Sequence, residues 1–279
     1  LKVLDSIINI DTLIFTSSSG NKFFNKLINE GTISNIANED LNIASILANR
    51  GQFNFFSGKI FFTSFGEIYG NILIKKLSIT DSLTSYDTLL IQEKIEGNGH
   101  IRNEGILKLG MTDGNFKIDS LILTAQKNEL HLIRNGYQSL PYISFNKLNV
   151  LKCTGYGSYL INSSHSIETL IIENESNLTI KNPQTINYFA IKNFSKLISK
   201  GSFKLDNIPN LDFETFSYLI LENNQTFLNP IQIGHIEIES DITLTANDSL
   251  YVSGDFTGNG KLTGSLIVEY NGVRRQTIK

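Results

Sequence analysis

The stretch "TLIIENESNLTIKN" (residues 169–182) carries the pattern on which the fold turns. Leu170 and Ile172 stand two apart, so an extended chain points both the same way, and Glu173 to Asn177 then supply a polar turn. Leu178 and Ile180 repeat the apolar doublet. "SLILTAQKNELHLI" (120–133) shows the same arrangement in Leu121/Leu123 and Leu130/Leu132. "HIEIESDITLTANDSLYVSG" (235–254) shows it three times, through Ile236/Ile238, Ile242/Leu244 and Leu250/Val252. Period-2 runs this brief predict short strands, and no stretch holds a 3.6-residue period long enough for a helix of ordinary length.

Gly, Asn, Asp and Ser fill the gaps between doublets, as in "EGNGHIRNEG" (96–105) and "GDFTGNGKLTG" (254–264). Asn-Gly also marks hairpin turns, so an antiparallel sandwich is the competing architecture. Two features count against it. The doublets are short for sandwich strands, and an Asn-led segment with a glutamine recurs at Asn135, Asn182, Asn229 and Asn271, spaced by 47, 47 and 42 residues. A fixed period in that range marks a repeat architecture, with two coils of about 20–25 residues in each unit. The expectation is an all-β, right-handed parallel β-helix (β-solenoid) of roughly 12 coils in one segment, 1–279. Residues 1–30 stand apart as an uncertain cap or leading coil. Gln138, Gln184, Gln232 and Gln276 read as fixtures of the coil corners, where a side-chain amide can serve exposed peptide groups.

Composition narrows the function classes. Hydrophobic residues make up 41% and charged residues 18%, enough apolar surface to exclude disorder. A net charge of −3 gives no reason to expect nucleic acid as a partner, and Cys153, alone in the chain, permits neither an internal disulfide nor a cysteine metal cluster. No apolar run reaches the ~18–20 residues of a membrane helix. The opening "LKVLDSIINI" has no basic-then-apolar leader, so any export signal is expected to have been removed or to lie outside this segment.

"LNIASILANRGQFNFFSGKIFFTSFGEIYGNILIKKLSI" (41–79), "NGYQSLPYISFNKLNVLKCTGYGSYLI" (135–161) and "NPQTINYFAIKNFSKLISKGSFKLDN" (182–207) together resemble the repeats of large exported surface proteins of Bacteroidota. "GSLIVEYNGVRRQTI" (264–278) is similar to the opening of one more repeat. The likeness runs from about residue 30 onward. It implies an extracellular, cell-surface β-solenoid, exported by the type IX secretion route and acting as an adhesin or filament. The chain departs from that pattern in having no recognisable C-terminal sorting domain, which points to a segment of a longer array. Neighbouring repeats or a capping domain at both ends, surface or secretion proteins, and a glycan are the partners this implies.

β-Solenoids also suit polysaccharide-active enzymes, glycan-binding modules and phage-type tail spikes. An enzyme would need carboxylates held together on adjacent coils, or an acidic calcium cluster beside a base. Glu96, His100, Arg102 and Glu104 in "IEGNGHIRNEG" (95–105) form the best local set, and Asp113 with Asp119 a weaker one. Both read as solvated corner residues. His131, His165 and His235 are isolated from one another, and the alternation in "ELHLI" turns His131 away from the inward leucines, toward the surface. No catalytic residue, cofactor or metal ligand is therefore assigned. In the pairs Phe23/Phe24, Phe55/Phe56 and Phe61/Phe62 one ring should enter the core and its neighbour face outward, where it could meet a sugar or a packing partner. The sequons at Asn174, Asn177, Asn193 and Asn224 follow from an Asn-, Ser- and Thr-rich composition and carry no weight. The leading expectation is a structural or adhesive surface protein.

Overall fold

A computed structural model describes residues 5–16, 22–55, 57–123, 127–140, 147–206, 208–264 and 267–272. They form parallel strands stacked as a β-solenoid of about 13 turns, close to the number expected, and among the described residues one 3-10 turn, Asp113–Asn115, is the only helical element. The chain gathers into two compact units. One is formed by residues 1–131 with 141–146, the other by 132–140 with 147–279.

The first unit has three parallel faces. One face stacks Ser6–Asn9 on the second half of Lys22–Asn29, then the second half of Leu41–Asn49, Gly66–Tyr69, Ser82–Ser85, His100–Asn103 and Ser120–Ile122. A second begins with Thr12–Phe15, Thr32–Asn35 and Gln52–Asn54. The third carries Leu41 beside Ile60, Ile60 beside Leu77, and Leu77 beside Ile95, four fully buried side chains in one file. Each such aliphatic contributes roughly 1.5–3 kcal/mol relative to remaining in water. Residues 6–9, 12–15 and 22–29 thus sit in stacked parallel strands, and "INIDTLIF" (8–15), which matches no unit in the sequence, is in register with the coil above it.

In the second unit one face runs from Tyr137–Ser139 through Ser158–Ile161, Asn177–Ile180, Lys196–Ser199, Tyr218–Leu221 and His235–Ile238 to Phe256–Gly258. Leu178, Leu197, Leu219 and Ile236 form its inward file. The doublets of residues 169–180 behave as read: Leu170, Ile172, Leu178 and Ile180 are all fully buried. Between them Asn174 (φ 60°) and Glu175 (φ 56°) turn the corner in left-handed conformation. Asn193 (φ 49°) and Phe194 (φ 59°) repeat this turn one coil later, with the Glu175 amide donating to the Asn193 carbonyl at 2.9 Å.

Three expectations are corrected. Register partners are 17 to 22 residues apart, so the 47-residue spacing is not two coils. Gln138 packs in the file of Tyr159, Gln184 precedes the strand Thr185–Ile191, and Gln232 lies exposed in Ile231–Ile233, so the glutamines occupy different places. Gln276 lies outside the described residues. The inward pair in "DITLTA" (241–246) is Leu244 and Ala246 rather than Ile242 and Leu244, because the strand starts at Thr243.

Corner amides are nevertheless a real device. Gln184 accepts from the His165 amide at 3.0 Å and donates to the carbonyls of Ser163 (2.8 Å) and Asn182 (2.9 Å), and the buried Gln138 accepts from the Arg134 amide at 3.3 Å. The main users are other residues. Asn9 donates to the Asn29 carbonyl oxygen Oδ1 at 2.7 Å, and Asn29 to that of Asn49 at 2.8 Å, making a buried amide ladder at one corner of the first unit. Gln225, almost fully buried, accepts from the Leu205 amide at 2.9 Å and donates to Ser199 Oγ at 2.7 Å and Asn223 Oδ1 at 2.6 Å. A buried peptide group without a partner costs about 1–3 kcal/mol, which is what these side chains prevent.

Candidate functional site: an outward trough on the first unit

The polar cluster of residues 96–104 is divided by the coil. Glu96 sits on the face of Lys59–Phe62 and is held between Lys59 and Lys94. Hydrogen bonding from Lys59, then from Lys94, lowers its carboxyl to about 2, so it stays ionised and engaged. His100, Arg102 and Glu104 belong to another face of the same unit. His100 Nδ1 lies 2.7 Å from Ser120 Oγ, and Arg102 pairs with Glu104. Asp119 is exposed, and the side chain of Asp113 lies outside the described part.

The face holding these three residues carries a recess. Here Glu67, Thr84, Arg102 and Ile122 are successive register partners with side chains outward, while Gly66, Leu83, Ile101 and Leu121 point in. On the neighbouring file Ser82 is followed by His100 and Ser120. The middle strand Ser82–Ser85 therefore presents only a serine and a threonine between two coils with long side chains. A trough of about 450 Å³ results, running along that strand.

Rings and alkyl groups stand along it. Phe65 is 54% exposed, Tyr86 39% and Ile122 37%, high for large apolar side chains on one face. Tyr86 is braced from below: its ring stacks on Tyr69 with centroids 4.6 Å apart and planes 9° off parallel, and its hydroxyl donates to Glu67 Oε1 at 3.1 Å. Desolvation, followed by Glu67, pushes that hydroxyl up to about 12. Among the described residues lining the trough Glu104 is the one carboxylate, and Arg102 engages it. The arrangement offers flat apolar faces beside a fork of hydrogen-bonding groups, a recognition chemistry.

The remaining histidines stay apart. His131 is buried, contrary to the surface position expected of it, with Nε2 2.7 Å from Glu129 Oε2. The alternation does turn it away from Leu130 and Leu132, but facing outward in a strand is not the same as facing water. His165 lies 2.6 Å from Ser163 Oγ, and burial lowers its imidazole to about 4. His235 in the second unit stacks on Tyr218 (4.3 Å, 10°) with Lys196 over the tyrosine ring at 5.8 Å, and its Nδ1 accepts from the Asp255 amide at 3.0 Å.

Among the described residues no group of three or more His, Cys, Asp and Glu could hold a metal ion, and no helix is long and apolar enough to cross a membrane. Of the aromatic pairs, Phe24 and Phe62 are buried while Phe23 is 42% exposed and Phe61 partly so; Phe55 is buried, and Phe56 lies outside the described residues. Sequence reasoning passed over Phe65, Tyr69 and Tyr86, the rings the fold assembles. Their only signal was membership of alternating strands, because coils of unequal length hide the register. The chain matches no protein-family model, no curated protein and no solved structure.

Proposed function

We propose that the chain is a segment of an extracellular structural or adhesive protein displayed at a cell surface, with export by the type IX route suggested by its resemblance to Bacteroidota surface repeats. One observation supports this most. Coil after coil keeps its parallel register, so cohesion comes from neighbour-to-neighbour stacking and the outward faces are spared for contact. Such a stack resists extension along many short strands at once, which suits a stalk or an attachment surface. The partners are neighbouring repeats or capping domains and, through the outward faces, a host or matrix molecule.

A polysaccharide-active or glycan-binding module is the second reading, favoured by the aromatic trough. Recognition is the stronger half of it, because cleavage by paired carboxylates needs two such groups flanking one bond, and in the trough Glu104 is held by Arg102. Surface shaving tests the main reading. Intact cells that produce the chain are treated briefly with trypsin, and the released peptides are identified by mass spectrometry. Peptides from residues 50–200 should appear before any cytoplasmic marker; their release only after lysis would overturn display.

A further inference from the structure

We propose that the trough over Ser82–Ser85 binds a neutral oligosaccharide lying along that strand. The proposal deepens the adhesive reading and rests on it for its biological sense, although occupancy can be measured on the isolated chain. Three observations lead to it. The volume, about 450 Å³, falls within the ~300–1,000 Å³ usual for small-ligand sites. Its small floor and tall walls are made by register, with Ser82 and Thr84 between Phe65 on one side and His100 and Arg102 on the other. Its exposed ring, Tyr86, is locked in place by Tyr69 and Glu67, so a flat surface is presented with little ordering cost on binding.

The chemistry selects among ligand classes. The strand beneath the trough is hydrogen-bonded to parallel neighbours on both sides, so it has no free edge to which an extended peptide could add. A peptide would bring main-chain groups that need partners, and side chains alone would have to supply them. A polyanion would seek unneutralised cations, yet Arg102 is already paired with Glu104. A pyranose has apolar C–H faces that suit Tyr86 and Phe65, and vicinal hydroxyls that suit the Arg102–Glu104 fork and the Ser82 hydroxyl. Both halves of that requirement are met within one recess.

The experiment titrates the full 279-residue chain with cellohexaose, xylohexaose, mannohexaose and chitohexaose, alongside oligogalacturonate and a heparin hexasaccharide as acidic probes. Calorimetry and saturation-transfer NMR are the readouts. Saturable binding of at least one neutral hexasaccharide, in preference to the acidic probes, is expected. Tyr86→Ala should weaken it by about tenfold, the upper end of what an aromatic face contributes. Ser82→Tyr should abolish it by filling the floor while removing no wall, and unchanged circular dichroism for either variant separates lost binding from lost folding. Binding of none of the neutral probes, preference for an acidic one, or binding that Ser82→Tyr leaves intact would each overturn the proposal. Those failures leave surface display standing, and a failed shaving experiment leaves the trough's affinity intact.

Discussion

At the scale of single residues, buried amides supply hydrogen-bond partners to the peptide groups of the coil corners. Asn29 is fully buried and donates to Asn49 Oδ1 (2.8 Å) and to the carbonyls of Gly31 (3.2 Å) and Gln52 (2.8 Å), while accepting from Asn9. Asn29→Ala leaves several of these groups without partners, and urea denaturation should show a loss of about 3 kcal/mol. Glu96 gives a pH signature. Its folded carboxyl is lowered to about 2 from an ordinary 4.5 by Lys59 and Lys94, so the unfolded chain takes up the proton first as acid is added. Its contribution is fully present above about pH 4.5 and is lost as pH falls through about 2. The stability difference between the chain and its Glu96→Gln variant, followed by urea melts from pH 6 to pH 2, should shrink over that window and not above it. The idea of corner amides was legible in the sequence through Gln184 and Gln138, but the asparagine ladder was not singled out. Its signal was a 20-residue recurrence in "INIDT" (8–12), "INEGT" (28–32) and "ANRGQ" (48–52). The longer Asn-to-Asn spacing, without structural meaning, drew the eye instead.

At the scale of elements, the distance between stacked coils leaves some corners with no room for a side chain. A Cβ on Gly51 would lie 1.9 Å from the Gly31 carbonyl oxygen, and one on Gly31 would lie 2.0 Å from that of Asp11. These obstructions are backbone on the neighbouring coil, which cannot move without breaking the ladder on either side. Gly51→Ala should therefore destabilise the chain by more than about 2 kcal/mol. Gly114→Ala, where nothing lies within 4 Å, should leave the melting temperature almost unchanged. A comparable loss in both would show that crowding between coils is not the cause. The strands themselves were legible, since an apolar doublet with a polar corner has few other ways to bury itself. Their exact bounds were less so: in "DITLTA" (241–246) the inward pair was set one doublet too early, because Ile242, Leu244 and Ala246 share one phase and alternation alone does not fix where the strand begins. The trough depended on a further level. Ser82 and Thr84 are ordinary strand residues until Phe65, His100 and Arg102 are placed on the coils beside them, with Tyr86 at the end of their own strand.

At the scale of the whole molecule, each unit is held by repetition of one contact rather than by a central core, and its stability should be graded along the stack. Hydrogen exchange followed by mass spectrometry should find the slowest amides in middle coils, such as Leu41–Asn49 and Ile72–Ile79 of the first unit and Asn177–Ile180 of the second. Ser6–Asn9 and Phe256–Gly258 should exchange first. Uniform protection from the first coil to the last would contradict nearest-neighbour stacking. By itself the sequence determined that the chain is all-β, built of short strands in coils with aliphatic files inside, because period-2 hydrophobicity and polar corners are local properties written in neighbouring residues. Only the tertiary structure decided which coil lies on which, and with that the asparagine ladder, the division of Glu96 from Arg102 and Glu104, and the trough over Ser82. The physical reason is that register between parallel coils is set by how many residues each corner consumes, and corners of unequal length leave no fixed period for the eye to follow.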